Sequence, residues 1–117
     1  MAAEDTLIKA SEIVLLKTGL KVKMPADEAL FVFPRSSLAL KRGLVMSNSV
    51  GVVDADYYNN SDNEGHIMIP LMNFKNSDVL IKKGERVAQG IFLKYQTITN
   101  EEFLNENRTG GFGSSGK

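Results

Sequence analysis

Apolar residues in this chain come in short runs of β-like rhythm, cut off by glycine or proline, and no helical stripe of comparable length appears. Leu30-Phe31-Val32-Phe33 stops at Pro34, while Ile67, Ile69 and Leu71 recur at every second residue, the spacing that puts side chains on one face of a strand. Residues 12–16, 20–24, 43–46, 79–81 and 86–95 have the same character, and Gly19, Gly43, Gly51, Gly65 and Gly84 punctuate them. This spacing predicts an all-β sandwich or barrel made by residues 1–107. Residues 99–107 lose the rhythm and become a polar connector, with room for one helical turn, and residues 108–117 form a separate glycine-rich arm.

A chain of 117 residues is one domain with a modest core. Its 14 basic and 14 acidic residues cancel, so it lacks the broad positive surface that a nucleic acid polymer requires, whereas a few well-placed arginines suffice for a small anion. The absence of cysteine excludes disulfides and thiolate metal sites, and His66, the lone histidine, makes no zinc site by itself. Neither a membrane-length apolar run nor a signal-like start is visible, and a cytoplasmic location is the expectation.

The arm Arg108-Thr109-Gly110-Gly111-Phe112-Gly113-Ser114-Ser115-Gly116-Lys117 carries chemistry that a plain linker does not need. An arginine binds phosphate bidentately, the N–H groups of a glycine-rich turn cradle further phosphate oxygens, and an aromatic ring offers its face to a base. Upstream stand three more blocks: Pro34-Arg35-Ser36-Ser37-Leu38-Ala39, then Asn48-Ser49-Val50-Gly51-Val52-Val53-Asp54-Ala55-Asp56-Tyr57, then Gly84-Glu85-Arg86-Val87-Ala88-Gln89. In that order the four blocks resemble the dUTPase family, from about residue 4 to residue 116.

The resemblance implies a β jelly roll, a distorted barrel that assembles as a homotrimer. Its active sites are built at subunit boundaries, and the C-terminal arm reaches onto a neighbour as a lid. The activity implied is hydrolysis of dUTP to dUMP and pyrophosphate by water attack on the α-phosphorus, which keeps uracil out of DNA and supplies dUMP for dTMP synthesis. Asp54 matches the aspartate that orients and deprotonates that water; on its own, an aspartate at a strand end also reads as ordinary turn chemistry. Arg35, Ser36, Ser37, Gln89, Arg108, Gly113, Ser114 and Ser115 match positions around the phosphates or the water, although an arginine in the place of Arg35 also serves to tie subunits together. Asn48 and Val53 belong to the hairpin that receives the base. Tyr57 matches the aromatic that packs under the sugar and leaves no room for a 2′-hydroxyl, and Phe112 covers the base from the other side. Mg2+ is expected as the cofactor, held by the phosphates and water rather than by protein ligands.

The chain departs from the family pattern in three places. The usual first motif, an Ala-Gly-Tyr-Asp-Leu-like strand, has no counterpart ahead of Ala2-Ala3-Glu4-Asp5. Its aspartate contacts water on the magnesium in the family, so weak metal binding and slow turnover are the expectation. Ser37 stands where many members have glycine, and residues 58–64 are an insertion whose Asn59, Asn60, Ser61, Asp62 and Asn63 read as a polar surface loop. Two alternatives follow. One is a dCTP deaminase-like enzyme of the same fold, opposed by Leu40 where that family has a second arginine and by Pro70 where it has its catalytic glutamate, since proline is neither acid nor base. The other is a non-catalytic, regulatory nucleotide-binding trimer that uses the same nucleotide pocket as a switch, with a regulatory protein partner left unidentified.

Overall fold

Alternation along the apolar runs leaves each strand one face to bury, and stacking those faces makes the core. A computed structural model describes residues 1–97. Eight strands lie among them: β1 Thr6–Ile8, β2 Ile13–Lys17, β3 Glu28–Pro34, β4 Leu44–Met46, β5 Gly51–Asp54, β6 Met68–Asn73, β7 Val79–Ile81 and β8 Ala88–Lys94. All pairings are antiparallel, in the orders β1–β7, β2–β6–β4 and β5–β3–β8. The only helical elements described are two short turns, Leu38–Arg42 and Ala55–Tyr57. The expected all-β architecture is therefore present. Among the described residues, no helix is long and apolar enough to cross a membrane.

Cross-strand register builds the core layer by layer. Strand β6 turns Ile69, Leu71 and Asn73 inward at alternate positions, and they face Leu16 of β2 and Met46 and Leu44 of β4. Strand β3 adds Leu30 and Val32, and Ile8, Val79 and Ile81 enter from the two-stranded sheet. Ile8, Leu16, Leu44, Leu71, Ile81 and Val87 are completely buried, each contributing about 1.5–3 kcal/mol by leaving water.

One polar side chain sits in this core and joins its sheets. Asn73 is fully buried, yet both amide protons and the amide oxygen have partners. Nδ2 donates to the carbonyls of Ile8 (2.9 Å) and Ser77 (2.8 Å), while Oδ1 accepts the Lys75 N–H (2.9 Å). Its backbone bonds to Glu12 and Ser11 in the β1–β2 turn. A single residue thus ties the end of β1, the turn after it, β6 and the loop that leads to β7.

The structure corrects the sequence reading at two segments. Residues 20–24 point Val22 and Met24 at the core but form no strand. Gly19, at φ +71°, breaks the extended run, and Thr18 then takes over the local bonding by donating to the Ile67 carbonyl and accepting the Leu20 N–H. Strand β1, three residues long, was not foreseen, because it exists only through its pairing with the distant β7.

Replacing Asn73 with alanine should cost about 2 kcal/mol, because the buried Ile8 carbonyl and the partly buried Ser77 carbonyl and Lys75 N–H lose their partner. Urea unfolding of wild type and variant measures this. A loss below about 1 kcal/mol would mean that water substitutes for the amide.

Candidate active site

The connection from β4 to β5 is the tight turn that shapes the site. Ser49 adopts φ +65°, its N–H donates to the Met46 carbonyl, and the chain returns as β5 alongside β3. The result is a cleft of about 190 Å³ in which Asn48, Val53 and Tyr57 meet Val32, Met46, Gly51, Ile69 and Pro70. Its lining side chains are mostly apolar, with an amide and a phenol among them, and backbone groups add to the polar surface. That combination suits a flat heterocycle joined to a sugar.

Asp54 ends β5 and is exposed at this hairpin. One of its oxygens, Oδ1, accepts the Asp56 N–H at 3.1 Å and starts the helical turn that carries Tyr57. The turn role expected of an aspartate here is therefore present. It occupies a single lone pair and leaves acceptor capacity on the carboxylate for a water molecule.

A second group of expected residues gathers elsewhere. The Arg35 N–H donates to the Val87 carbonyl (3.1 Å) and its Nη1 reaches the Arg86 carbonyl (3.5 Å), which seats Arg35 beside the start of β8. Gln89 faces Phe33 across the ladder. Ser36 and Ser37 follow directly, held by the buried Leu38 of the next helical turn. Arg35, Ser36 and Gln89 are exposed and Ser37 is half-buried.

Asp54 and this second group lie toward opposite ends of β3. Asp54 lies opposite Ala29, whereas Gln89 lies opposite Phe33 and Arg35 is two residues further on. At 3.2–3.4 Å per residue the separations along the strand are about 13 and 20 Å. One chain unites Asn48, Val53 and Tyr57 in the cleft and Arg35, Ser36, Ser37 and Gln89 beside the start of β8, and it holds Asp54 apart from Arg35 and Gln89. Arg108, Phe112, Gly113, Ser114 and Ser115 lie outside the described residues. No cluster of three or more His, Asp or Glu side chains suited to a metal occurs among the described residues.

The sequence reading missed what lies behind Tyr57. Residues 59–63 are more than a surface loop: Asn60 and Asn63 are half-buried and bond inward. Asn60 Nδ2 donates to the Tyr57 carbonyl and to Asn63 Oδ1, both at 2.8 Å, while its Oδ1 accepts the N–H groups of Asp62 and Asn63. Asn63 Nδ2 donates to Tyr57 Oη at 2.7 Å, and Oη donates to the His66 carbonyl at 2.8 Å. The signal available in sequence was the density of asparagines ahead of a glycine, a composition that closes turns through its own side chains.

Comparison with known proteins places these features in context. The dUTPase family model matches residues 1–116. A deoxyuridine 5′-triphosphate nucleotidohydrolase of Lactococcus lactis is 51% identical over 116 residues, covering 98% of this chain and 77% of the relative. The protein of the same name from Rickettsia felis is 42% identical over 113 residues, covering 93% and 72%. Among solved structures, a dUTPase from Streptococcus mutans superposes with a TM-score of 0.82 at 49% identity, covering 83% of this chain and 76% of that one.

Gly65 closes the asparagine loop at φ +89°, and a Cβ there would lie 2.9 Å from the Asn59 nitrogen and 3.1 Å from the Tyr57 oxygen. Both neighbours are backbone and cannot swing aside. Gly65→Ala should destabilise the protein by about 2 kcal/mol or more, combining strain at positive φ with this clash. Thermal unfolding reads the loss, and an unchanged melting temperature would show that the loop relaxes freely.

Proposed function

Because the chain belongs to the dUTPase family, we propose that its own substrate is dUTP, cleaved to dUMP and pyrophosphate. The observation that carries this reading is the cleft shared by Asn48, Val53 and Tyr57, with Asp54 following Val53 at the end of β5. Uracil enters between the apolar walls and meets the Asn48 amide and the hairpin backbone. Deoxyribose rests on the ring of Tyr57, where a ribose would collide. Asp54 holds a water molecule in line with the α-phosphorus and takes its proton. Arg35, with Ser36, Ser37 and Gln89, offsets charge on the phosphates, and Arg108, Gly113, Ser114 and Ser115 of the arm complete that cradle while Phe112 covers the base. A lid of this kind excludes water and clamps the leaving group.

The ion that serves this reaction arrives on the triphosphate, with water filling its remaining positions. Mg2+ bound in this way would neutralise part of the phosphate charge. The half-buried Pro70 in the wall of the cleft supplies no acid or base for deamination, which favours hydrolysis over the deaminase alternative. The physiological role follows from the reaction: less uracil available to DNA and more dUMP for dTMP synthesis, in a cytoplasmic setting.

A homotrimer is part of the same proposal, and two features support it. The carboxylate and the phosphate-binding group are held apart within one chain. Strand β8, at the edge of its sheet, leaves Ile91, Phe92 and Leu93 each about half-exposed, on both of its faces. A second and third copy cover that apolar surface and bring Arg35 of one subunit to Asp54 of another.

Pyrophosphate release measured with dUTP, dCTP, dTTP and UTP tests the substrate, and only dUTP should turn over well. Asp54→Asn should lower that rate by about 100- to 10,000-fold while leaving dUTP bound. Near-normal turnover would reduce Asp54 to its turn role.

Sharing of the site between chains makes a separate prediction. Asp54→Asn and Arg35→Ala chains, each nearly inactive alone, should regain activity when unfolded together and refolded as mixed trimers, because some sites then receive both intact groups. Mixtures that remain as inactive as the separate variants would place the whole site within one chain.

A further inference from the structure

Tyr57 forms part of the cleft, but the groups that decide where its ring stands lie outside it. The phenol has one proton to give and lone pairs to receive, and both capacities are used: Oη donates to the His66 carbonyl and accepts from Asn63 Nδ2. The orientation of the Asn63 amide is itself forced. Its Oδ1 accepts the Gly65 N–H at 3.0 Å and a proton of Asn60 Nδ2, so the reversed amide would set donor against donor at two contacts. Asn60 is fixed in turn by the backbone of Tyr57, Asp62 and Asn63.

The loop is also anchored at its outer edge. His66 Nε2 accepts the Gly19 N–H at 3.0 Å, and Lys21 Nζ donates to Asn59 Oδ1 at 2.6 Å while lying 5.1 Å from the centre of the Tyr58 ring. Residues 59–66 are thus braced against the segment 19–21, and the brace ends on the hydroxyl of Tyr57. Asn63 is not among the residues that line the cleft; it lines a separate cavity with Gly19, Lys21 and His66.

We propose that Asn63 is a positioning residue that fixes the Tyr57 ring against the sugar site and thereby sets the discrimination between deoxyribo- and ribonucleotides. The inference rests on the reading of Tyr57 as the wall beneath the sugar. Exclusion of a single hydroxyl by a ring demands that the ring not retreat, and Oη is the far end of the lever that could move it. Two hydrogen bonds on that atom hold both side-chain torsions at once.

The test compares kcat/KM for dUTP and UTP in wild type, Asn63→Ala, Tyr57→Phe, the double variant and Tyr57→Ala. Asn63→Ala should lower the dUTP preference about tenfold, the worth of one well-made hydrogen bond, through a raised kcat/KM for UTP, with kcat for dUTP changed less than about twofold. Tyr57→Phe keeps the ring but removes both bonds and should lose at least as much, with the double variant no worse than Tyr57→Phe, since Asn63 acts only through that hydroxyl. A wild-type preference in Asn63→Ala, with or without a lower melting temperature, overturns the inference when Tyr57→Ala loses its preference, and leaves the reading of the cleft standing. Tyr57→Ala with an unchanged preference overturns both. Should Asn63→Ala fail to fold, Tyr57→Phe decides alone: it disturbs only the hydroxyl, and an unchanged preference sinks the role assigned to the two hydrogen bonds.

Discussion

Two hydrogen-bonded ladders on either side of β3 determine where everything functional can stand. Its seven residues pair with β5 along one edge and with β8 along the other, and antiparallel register fixes which partner comes opposite which position. Val53 and Asp54 fall opposite Leu30 and Ala29, near one end, while Ala88 and Gln89 fall opposite Pro34 and Phe33, near the other. A slip by one residue would turn Leu30 and Val32 out of the core, so burial locks the register and the register locks the site. The placement of Asp54 and of Gln89 is therefore a consequence of core packing rather than of any contact between them.

Within that frame the cleft combines rigid and adjustable parts. Asn48 and Val53 are held by the β4–β5 turn and by the ladder, whose hydrogen bonds are all backbone. Tyr57 leaves the sheet on a short helical turn and has no ladder to hold it. Its fixation comes instead from side-chain amides in a loop with polar surroundings. Such a network is costly to leave half-satisfied, and here no buried side-chain polar atom among the described residues lacks a partner. Asn73 solves the analogous problem in the core. In both places asparagine is used because one short side chain both gives and accepts hydrogen bonds.

Much of this was legible in the chain itself. The all-β class followed from runs such as Leu30–Phe33 and Ile67-Ile69-Leu71, because alternation is a direct consequence of strand geometry and survives without knowledge of partners. The Asn48–Tyr57 block gave the residues that share a cleft, since they are close in sequence and one hairpin holds them. Strand β1 and the irregular path of residues 20–24 were not legible, because they depend on β7 and on Thr18 bonding to Ile67, contacts that span 49 positions or more. Nor was the inward role of Asn60 and Asn63, since polarity in sequence does not tell solvent from amide as the partner. The residues of the glycine-rich arm, from Arg108 to Ser115, were read for their chemistry alone and lie outside the described residues.

The exposed apolar side chains of β8 and the divided site are two aspects of one arrangement. An edge strand with Ile91, Phe92 and Leu93 half-open to water is an association surface in a single chain. The same strand begins with Ala88 and Gln89, next to Arg35. In the proposed trimer, covering the apolar part of β8 therefore also delivers its polar start to the neighbouring Asp54. Assembly and completion of the site become one event, and a nucleotide that bridges both halves stabilises the contact that created its own binding site.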